Sequence, residues 1–290
     1  MKLISLLYGI YPRSESLRKA YGKWEKGKIS SIEISDKIRE ESAIFYDLTK
    51  EANLDYFTDP LFNWYDLIRP VALSIEGITL GPLTRYKETN TFYREPIIGE
   101  TGKLNKIDEF REIDANPPLP MFHKDHSKSY LYFLPGINSF IKMSSLRTDA
   151  LNLRQKLKDI YLEMVGRLKM ERLLIYEPFE SENFEIYDDL IDATSLFLVV
   201  TGKSGKFTSG RKKKFVSIIS DDPYTFNEFC EIPGLRIVDA QTTRIDGDIL
   251  LKVKDLSDNF DRLIVANTES FDFLPRSIAD KKLFSFKGGE

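Results

Sequence analysis

Apolar residues recur along the chain in two spacings, and the two alternate. Short continuous runs, Lys2–Ile10, Tyr130–Leu134, Arg172–Tyr176, Leu196–Val200, Phe215–Ile219, Leu235–Asp239 and Leu263–Val265, read as strands buried on both faces. Leu54–Phe57 is a briefer strand, ended by Asp59-Pro60. Between the runs lie stripes at helical spacing: Ile34, Ile38, Phe45, Leu48 and Ala52, then Leu153, Leu157, Tyr161, Met164 and Leu168. Ser14 or Ser16 caps a helix running to about Gly27. Ser30 and Glu33 have capping-box spacing, and Thr148 opens the second long helix. Ile186–Ile191 and Pro223–Phe229 read as short helices, and 246–256 as either strand or helix. Pro117, Pro118 and Pro120 make 116–120 an extended loop.

The last unit is the most regular. Leu263–Val265 is followed by small polar residues, Asn267 to Ser270, and then by Phe273, Leu274, Ile278, Leu283 and Phe286 at helical spacing, with Pro275 near the helix start. Strand, polar loop and closing helix form a βα unit of the kind that carries binding residues at its strand end. Alternation of this sort predicts an α/β fold with a buried parallel sheet. Roughly eight strand–helix steps favour a TIM (β/α)8-type barrel over a doubly wound open sheet. Phe92–Ile98 and Leu104–Phe110 predict a hairpin insertion near 92–112. With no repeat or linker in sight, 1–290 reads as a single domain.

Composition narrows the function classes. A net charge of −3 provides no basic field to recruit nucleic acid or an anionic membrane. No apolar stretch approaches the roughly 18 residues of a membrane helix, and the apolar N-terminal run passes into charged 13–19 without a cleavage signal. The expectation is a cytoplasmic protein. One cysteine, Cys230, excludes an intrachain disulfide. Two glutamines, Gln155 and Gln241, against many lysines and glutamates lean towards a thermophile.

Five stretches carry candidate chemistry. Gly9 through Lys19 places a glycine at a strand end, then a helix N-terminus with Arg13, Arg18 and Lys19, a combination suited to an anion such as a carboxylate. The plainer alternative is a solvated helix face. Phe62-Asn63-Trp64-Tyr65-Asp66 offers a stacking surface and an acceptor for a heteroaromatic ring, or else a core aromatic cluster with a capping Asp. Arg85 through Pro96 contains Asn90 and Tyr93, where Asn90 either bonds a ligand group such as a carboxylate or holds a turn. His123, His126 and Cys230 form a weak metal pattern whose plain reading is an exposed loop. Gly202–Lys214 ends in a dense basic cluster but lacks the P-loop spacing, so it reads as a solvated charge run or a grip for an anionic tail or acidic partner.

Taken in order, these stretches resemble the cobalamin-independent methionine synthase family. Leu274, Pro275, Arg276, Ala279 and Lys282 are similar to its closing Leu-Pro-Arg…Ala…Lys pattern. Pro12, Leu17, Arg18 and Lys19, followed by Lys26-Gly27-Lys28-Ile29-Ser30, resemble the opening of its barrels. There the polar stretch Arg-Glu-Leu-Lys contacts a folate polyglutamate tail; here it reads Glu15-Ser16-Leu17-Arg18. Residues 62–66 resemble its Phe-x-Trp-Tyr-Asp motif, and Arg85, Thr89, Asn90 and Tyr93 its Arg-x-x-x-Thr-Asn-x-x-Tyr segment. Leu134-Pro135-Gly136 with Ser139-Phe140, Tyr176-Glu177-Pro178 and 234–243 continue the match, with Ile137 in place of a second Pro.

The resemblance implies a relative of the family's N-terminal barrel that binds a methyl-tetrahydropterin or folate donor. Its cleft residues would be Arg13, Arg18, Lys19, Trp64, Tyr65, Asp66, Arg85, Asn90, Tyr93 and Asp239. The family's catalytic barrel activates homocysteine on zinc held by His, two Cys and Glu. Here 267–270 contain no Cys, and no His or Cys occurs from Val199 to Phe229. No resident zinc is therefore expected, and the implied partner is a separately encoded zinc-bearing barrel. The alternatives are a non-catalytic subunit that only docks on that barrel, and an independent enzyme using the strand-end carboxylates Asp66, Glu177 and Asp239.

Overall fold

The computed structural model describes residues 1–87, 89, 91–99, 129–147, 150–181, 184–201 and 214–286. Eight strands close into a parallel barrel: β1 (Lys2–Leu7), β2 (Tyr56–Thr58), β5 (Tyr130–Pro135), β7 (Arg172–Glu177), β8 (Ser195–Val200), β9 (Phe215–Ser220), β10 (Cys230–Val238) and β11 (Arg262–Asn267). The order around the barrel is β1-β11-β10-β9-β8-β7-β5-β2. Last strand pairs with first, Leu3 opposite Leu263 and Ile4 opposite Ile264. The TIM-type barrel expected from the alternation is present. The central strands are apolar without alternation because both of their faces are covered.

The chain's contacts group into two compact units. The first contains 1–64, 111–130 and 236–290. Its helices follow the sequence signals closely. α1 (Glu15–Trp24) starts at the Ser14 cap, whose Oγ accepts from Leu17 N at 3.1 Å. α2 (Ser31–Glu51) starts at the Ser30–Glu33 capping box and buries Ile34, Ile38 and Phe45. α7 (Ile249–Lys252) and α8 (Arg276–Leu283) complete it. Edge-to-face rings fill its core, with Tyr11 4.9 Å and Phe57 6.2 Å from Phe45.

The second unit contains 65–110 and 131–235. It holds α3 (Arg69–Leu73), α4 (Ile137–Lys142), α5 (Ala150–Leu168) and α6 (Asp188–Ala193). It also holds a small sheet in the order β3 (Ile78–Arg85), β4 (Phe92–Ile98), β6 (Ser145–Leu146).

That sheet corrects the hairpin expected near 92–112. Strand β4 makes its antiparallel hairpin with the preceding 78–85, and at Ile97 and Ile98 it pairs parallel with the later β6. The sequence hid β3 because Gly81-Pro82 reads as a turn. In the fold this pair sits at a register irregularity between Leu80 and Leu83, on an edge strand where a missing N–H costs nothing. Leu104–Phe110 lies outside the described residues. A second correction concerns 223–229, which form turns and a 3-10 turn over Asn227–Phe229 rather than a helix. Asp222 explains it, since its carboxylate takes Tyr224 N and Thr225 Oγ1 in a local turn. No described helix is long and apolar enough to cross a membrane.

Gly136 gives a direct test of the packing. A Cβ built there would lie 2.0 Å from the Glu177 carboxyl carbon. Gly136→Ala is expected to cost about 3 kcal/mol through forced displacement of that buried carboxylate, read by thermal denaturation.

Candidate functional site

Binding residues of a βα barrel belong at the C-terminal ends of its strands. In the first unit these are the loops after β1, β2, β10 and β11. Their backbone is held by the protein itself. Asn267, fully buried at the end of β11, accepts from Tyr8 N at 3.0 Å and donates to Tyr8 O and Glu269 O at 2.9 and 2.7 Å. Gly9 N donates to Thr58 Oγ1 and Ile10 N to Ser270 Oγ, at 3.1 and 3.2 Å. Gly9 takes φ +87°, and a Cβ there would lie 2.2 Å from Ser270 Oγ. The close approach expected at Gly9 is thus made by Ser270.

The anion expected at the start of α1 also comes from within. Glu41, on the buried face of α2, accepts from Ser14 N and Ser14 Oγ, both at 2.8 Å. Arg276 of α8 pairs with the same carboxylate at 2.5 Å and with Asp280 at 2.7 Å, its guanidinium 5.1 Å from the Tyr11 ring centre. Lys282, one helical turn and a half further on, is wholly buried. It donates to Arg244 O at 2.5 Å and pairs with Asp246 at 2.9 Å, which anchors the loop after β10.

The sequence-predicted residues fall as follows. Arg13 is partly buried, donating to Phe62 O at 2.7 Å and Trp64 O at 2.9 Å, with its guanidinium over Tyr21. Arg18 and Lys19 are exposed on α1, and Lys19 pairs with Glu15 at 2.6 Å. Trp64 is buried at 2 % exposure, which turns its ring into core. Asp239 accepts from Gln241 N at 2.8 Å and Thr242 Oγ1 at 2.5 Å, and those bonds outweigh its partial burial and hold its carboxyl below the usual range.

In the second unit, Asp66 is buried and accepts from Ile68 N, Arg69 N and Arg94 N, while pairing with Arg69 at 3.0 Å. It starts α3 and fastens β4. Tyr65 lies under the Arg69 guanidinium, 5.1 Å from ring centre. Arg85 Nε donates to Thr89 O at 2.7 Å, closing its own hairpin. Tyr93 is buried, and burial, then Glu95 and Asp66, push its hydroxyl pKa up. Asn90, His123, His126 and 202–213 lie outside the described residues.

Glu177, at the end of β7, is wholly buried. It accepts from Asn138 N and Nδ2 at 3.1 Å, from Ser139 N at 2.8 Å, from Ser139 Oγ at 2.5 Å, and from the Tyr187 hydroxyl. Burial raises its pKa, although these donors oppose the rise. A carboxylate so fully met positions the first turn of α4.

Sequence reasoning missed two acids of the first unit, Asp59 and Asp272. Asp59 follows β2 and accepts from Leu61 N at 2.8 Å and Tyr46 OH at 3.0 Å; burial pushes its pKa up to about 7. Asp272, in the turn after β11, is pushed up to about 7 by burial, against a lowering bond from its own backbone N–H, with Glu269 nearby raising and Arg13 lowering it. Asp272 sits between Phe271 and Phe273, an acid where the pattern calls for core, whereas Asp59 reads only as the Asp-Pro end of a strand. Cys230 opens β10, at the strand end away from these loops. Its buried Sγ lies 3.4 Å from Phe226 O, and burial raises the thiol pKa. Among the described residues no three His, Cys, Asp or Glu converge as a metal site. With Ser270 rather than a thiol after β11, the residues do not fit a two-Cys zinc centre.

The closed parallel barrel with its strand-end loops defines the class: an α/β barrel of the TIM type. No protein-family model and no curated protein matches the sequence. Solved structures do match the fold. One is a B12-independent methionine synthase from a Shewanella species in complex with selenomethionine: TM-score 0.63, 13% identity, 90% of this chain and 89% of that one. Another is a putative vitamin-B12 independent methionine synthase from Listeria monocytogenes: TM-score 0.65, 14% identity, 96% and 93% covered. At such identity the likeness is one of fold.

Two outcomes are expected. Lys282→Met leaves the buried Asp246 with Lys252 and Asp239 N as its remaining partners and costs about 3 kcal/mol in urea denaturation, much of it recovered when Asp246 is also made Leu. Folded Asp59 keeps its proton up to about pH 7, whereas the unfolded chain releases it near pH 4. Its contribution is therefore present at low pH and lost as pH rises through that window, by up to about 1.4 kcal/mol per unit. Asp59→Asn is expected to flatten that part of the stability–pH curve.

Proposed function

We propose that this barrel serves methyl transfer to a sulfur amino acid, presenting a methyl-carrying tetrahydropterin to a separately encoded, zinc-bearing barrel. The observation that carries the reading is the nearly end-to-end overlay on two B12-independent methionine synthases, each covering about this chain's own length. The ordered motifs of the resemblance support it. The residue set argues against unaided chemistry on homocysteine: the lone thiol is buried at the wrong end of its strand, and the loop after β11, Thr268 to Ser270, carries no thiol, with Ser270 committed to Ile10 N. Homocysteine is a nucleophile as its thiolate, which zinc ligation by thiolates and histidine would stabilise.

A specific observation favours a second reading, a subunit that docks on the catalytic barrel and holds no small molecule. Arg13, Asp66, Asp239 and Glu177 each already bond to the protein. Calorimetry with 5-methyltetrahydropteroyltriglutamate and pull-down with a zinc-bearing methionine synthase barrel separate the two. On the first reading the chain binds the pterin, makes no methionine alone, and raises the partner's rate. Partner capture without pterin heat selects the second. Methionine formed by the chain alone, with stoichiometric zinc, overturns both.

A further inference from the structure

We propose that Asp272 is a ligand-recognition residue, its carboxyl accepting the N–H donors of a bound amine or aminopyrimidine at the strand-end face formed by 8–13 and 267–272. The proposal rests on the reading above and names the group that would do the binding. Its basis is an orphan. Asp272 Oδ1 is buried and has no hydrogen-bond partner, while Asp59, Asp239 and Asp246 at the strand ends, and Glu41 on α2 beside them, are met by named donors. Native folds leave few buried polar atoms unmet, and the exceptions concentrate where a water or ligand completes the set.

The carboxyl's one internal donor is its own backbone N–H, which leaves Oδ1 unmet, and a capping role does not account for it. The turn Phe271–Phe273 is a single 3-10 turn, and α8 begins at Pro275 with no side-chain cap. Nor is Asp272 held in an ion pair. The charged groups that it senses are Glu269 in its own loop and Arg13 in the loop after β1, and Arg13 donates to Phe62 O and Trp64 O. A carboxyl in this state is protonated below neutrality, and an N–H donor with positive character draws it towards the ionised form. The same chemistry is offered by two candidates, the α-ammonium of a sulfur amino acid and the amino edge of a pterin.

Calorimetry on wild type, Asp272→Asn and Asp272→Ala with methionine and with 5-methyltetrahydropteroyltriglutamate, at pH 8 and pH 5.5, decides between them. The expected result is at least tenfold weaker binding of one of the two in both variants, with unfolding temperatures no lower than wild type in Asp272→Asn. Wild-type affinity for that ligand falls from pH 8 to 5.5, and the fall disappears in Asp272→Asn. The affected ligand identifies the source of the N–H donors. Variants that bind both ligands as wild type does overturn the proposal. If wild type binds neither, the functional reading fails, and Asp272 is judged separately with methylguanidinium followed by carboxyl carbon NMR. A saturable shift at Asp272 and none at Asp280 supports the assignment; no shift at Asp272 overturns it.

Discussion

Two cations on the closing helix hold the strand-end face of the first unit in place. Arg276 reaches back to Glu41 and so joins α8 to α2 and to the start of α1, because the same carboxylate caps Ser14. Lys282 does the equivalent for the loop after β10 through Asp246 and Arg244 O. Both pairs are largely removed from water, so neither partner can be lost without stranding a charge. The loops that follow β1 and β10 take their conformation from these anchors and from Asn267, which ties β11 to β1 by side-chain bonds in both directions.

This arrangement changes the meaning of the motif at the end of the chain. Leu274, Arg276, Ala279 and Lys282 carry the resemblance, and in the fold all four are buried or nearly so and bear on architecture. The motif therefore records how such a barrel is closed, which is a property that survives when the chemistry diverges. The overlay on methionine synthases at 13% and 14% identity is a likeness of scaffold, and a shared scaffold does not by itself carry a shared site.

Most of the architecture was legible. Most of the barrel strands are continuous apolar runs, and the first two helices carry capping residues, so Ser14, Ser30 and Glu33 could be assigned from local spacing alone. β3 was not legible, because Gly81-Pro82 carries a strong turn signal that only an edge position tolerates. The site was harder to read. Trp64, Asp66 and Glu177 stand out in the sequence as candidates, but a sequence cannot say whether a carboxylate's partners lie in the protein or in a ligand, or whether an aromatic ring faces a ligand or the core. Asp66 and Glu177 turn out to be met by backbone N–H groups a few residues away or across a strand end. Glu41 was obscured for the opposite reason: it occupies a core position of the α2 stripe, where an acid makes sense only once Arg276, from the far end of the chain, is seen beside it.

Gly9 and Ser270 have a further consequence for divergence. The glycine's left-handed backbone and the serine's hydroxyl occupy one another's space, and the hydroxyl also satisfies Ile10 N. Neither position can accept a bulkier residue while the other stays as it is. A larger side chain at 270 would require the first loop of the barrel to be reshaped in the same step, so the loops after β1 and β11 are bound to evolve together.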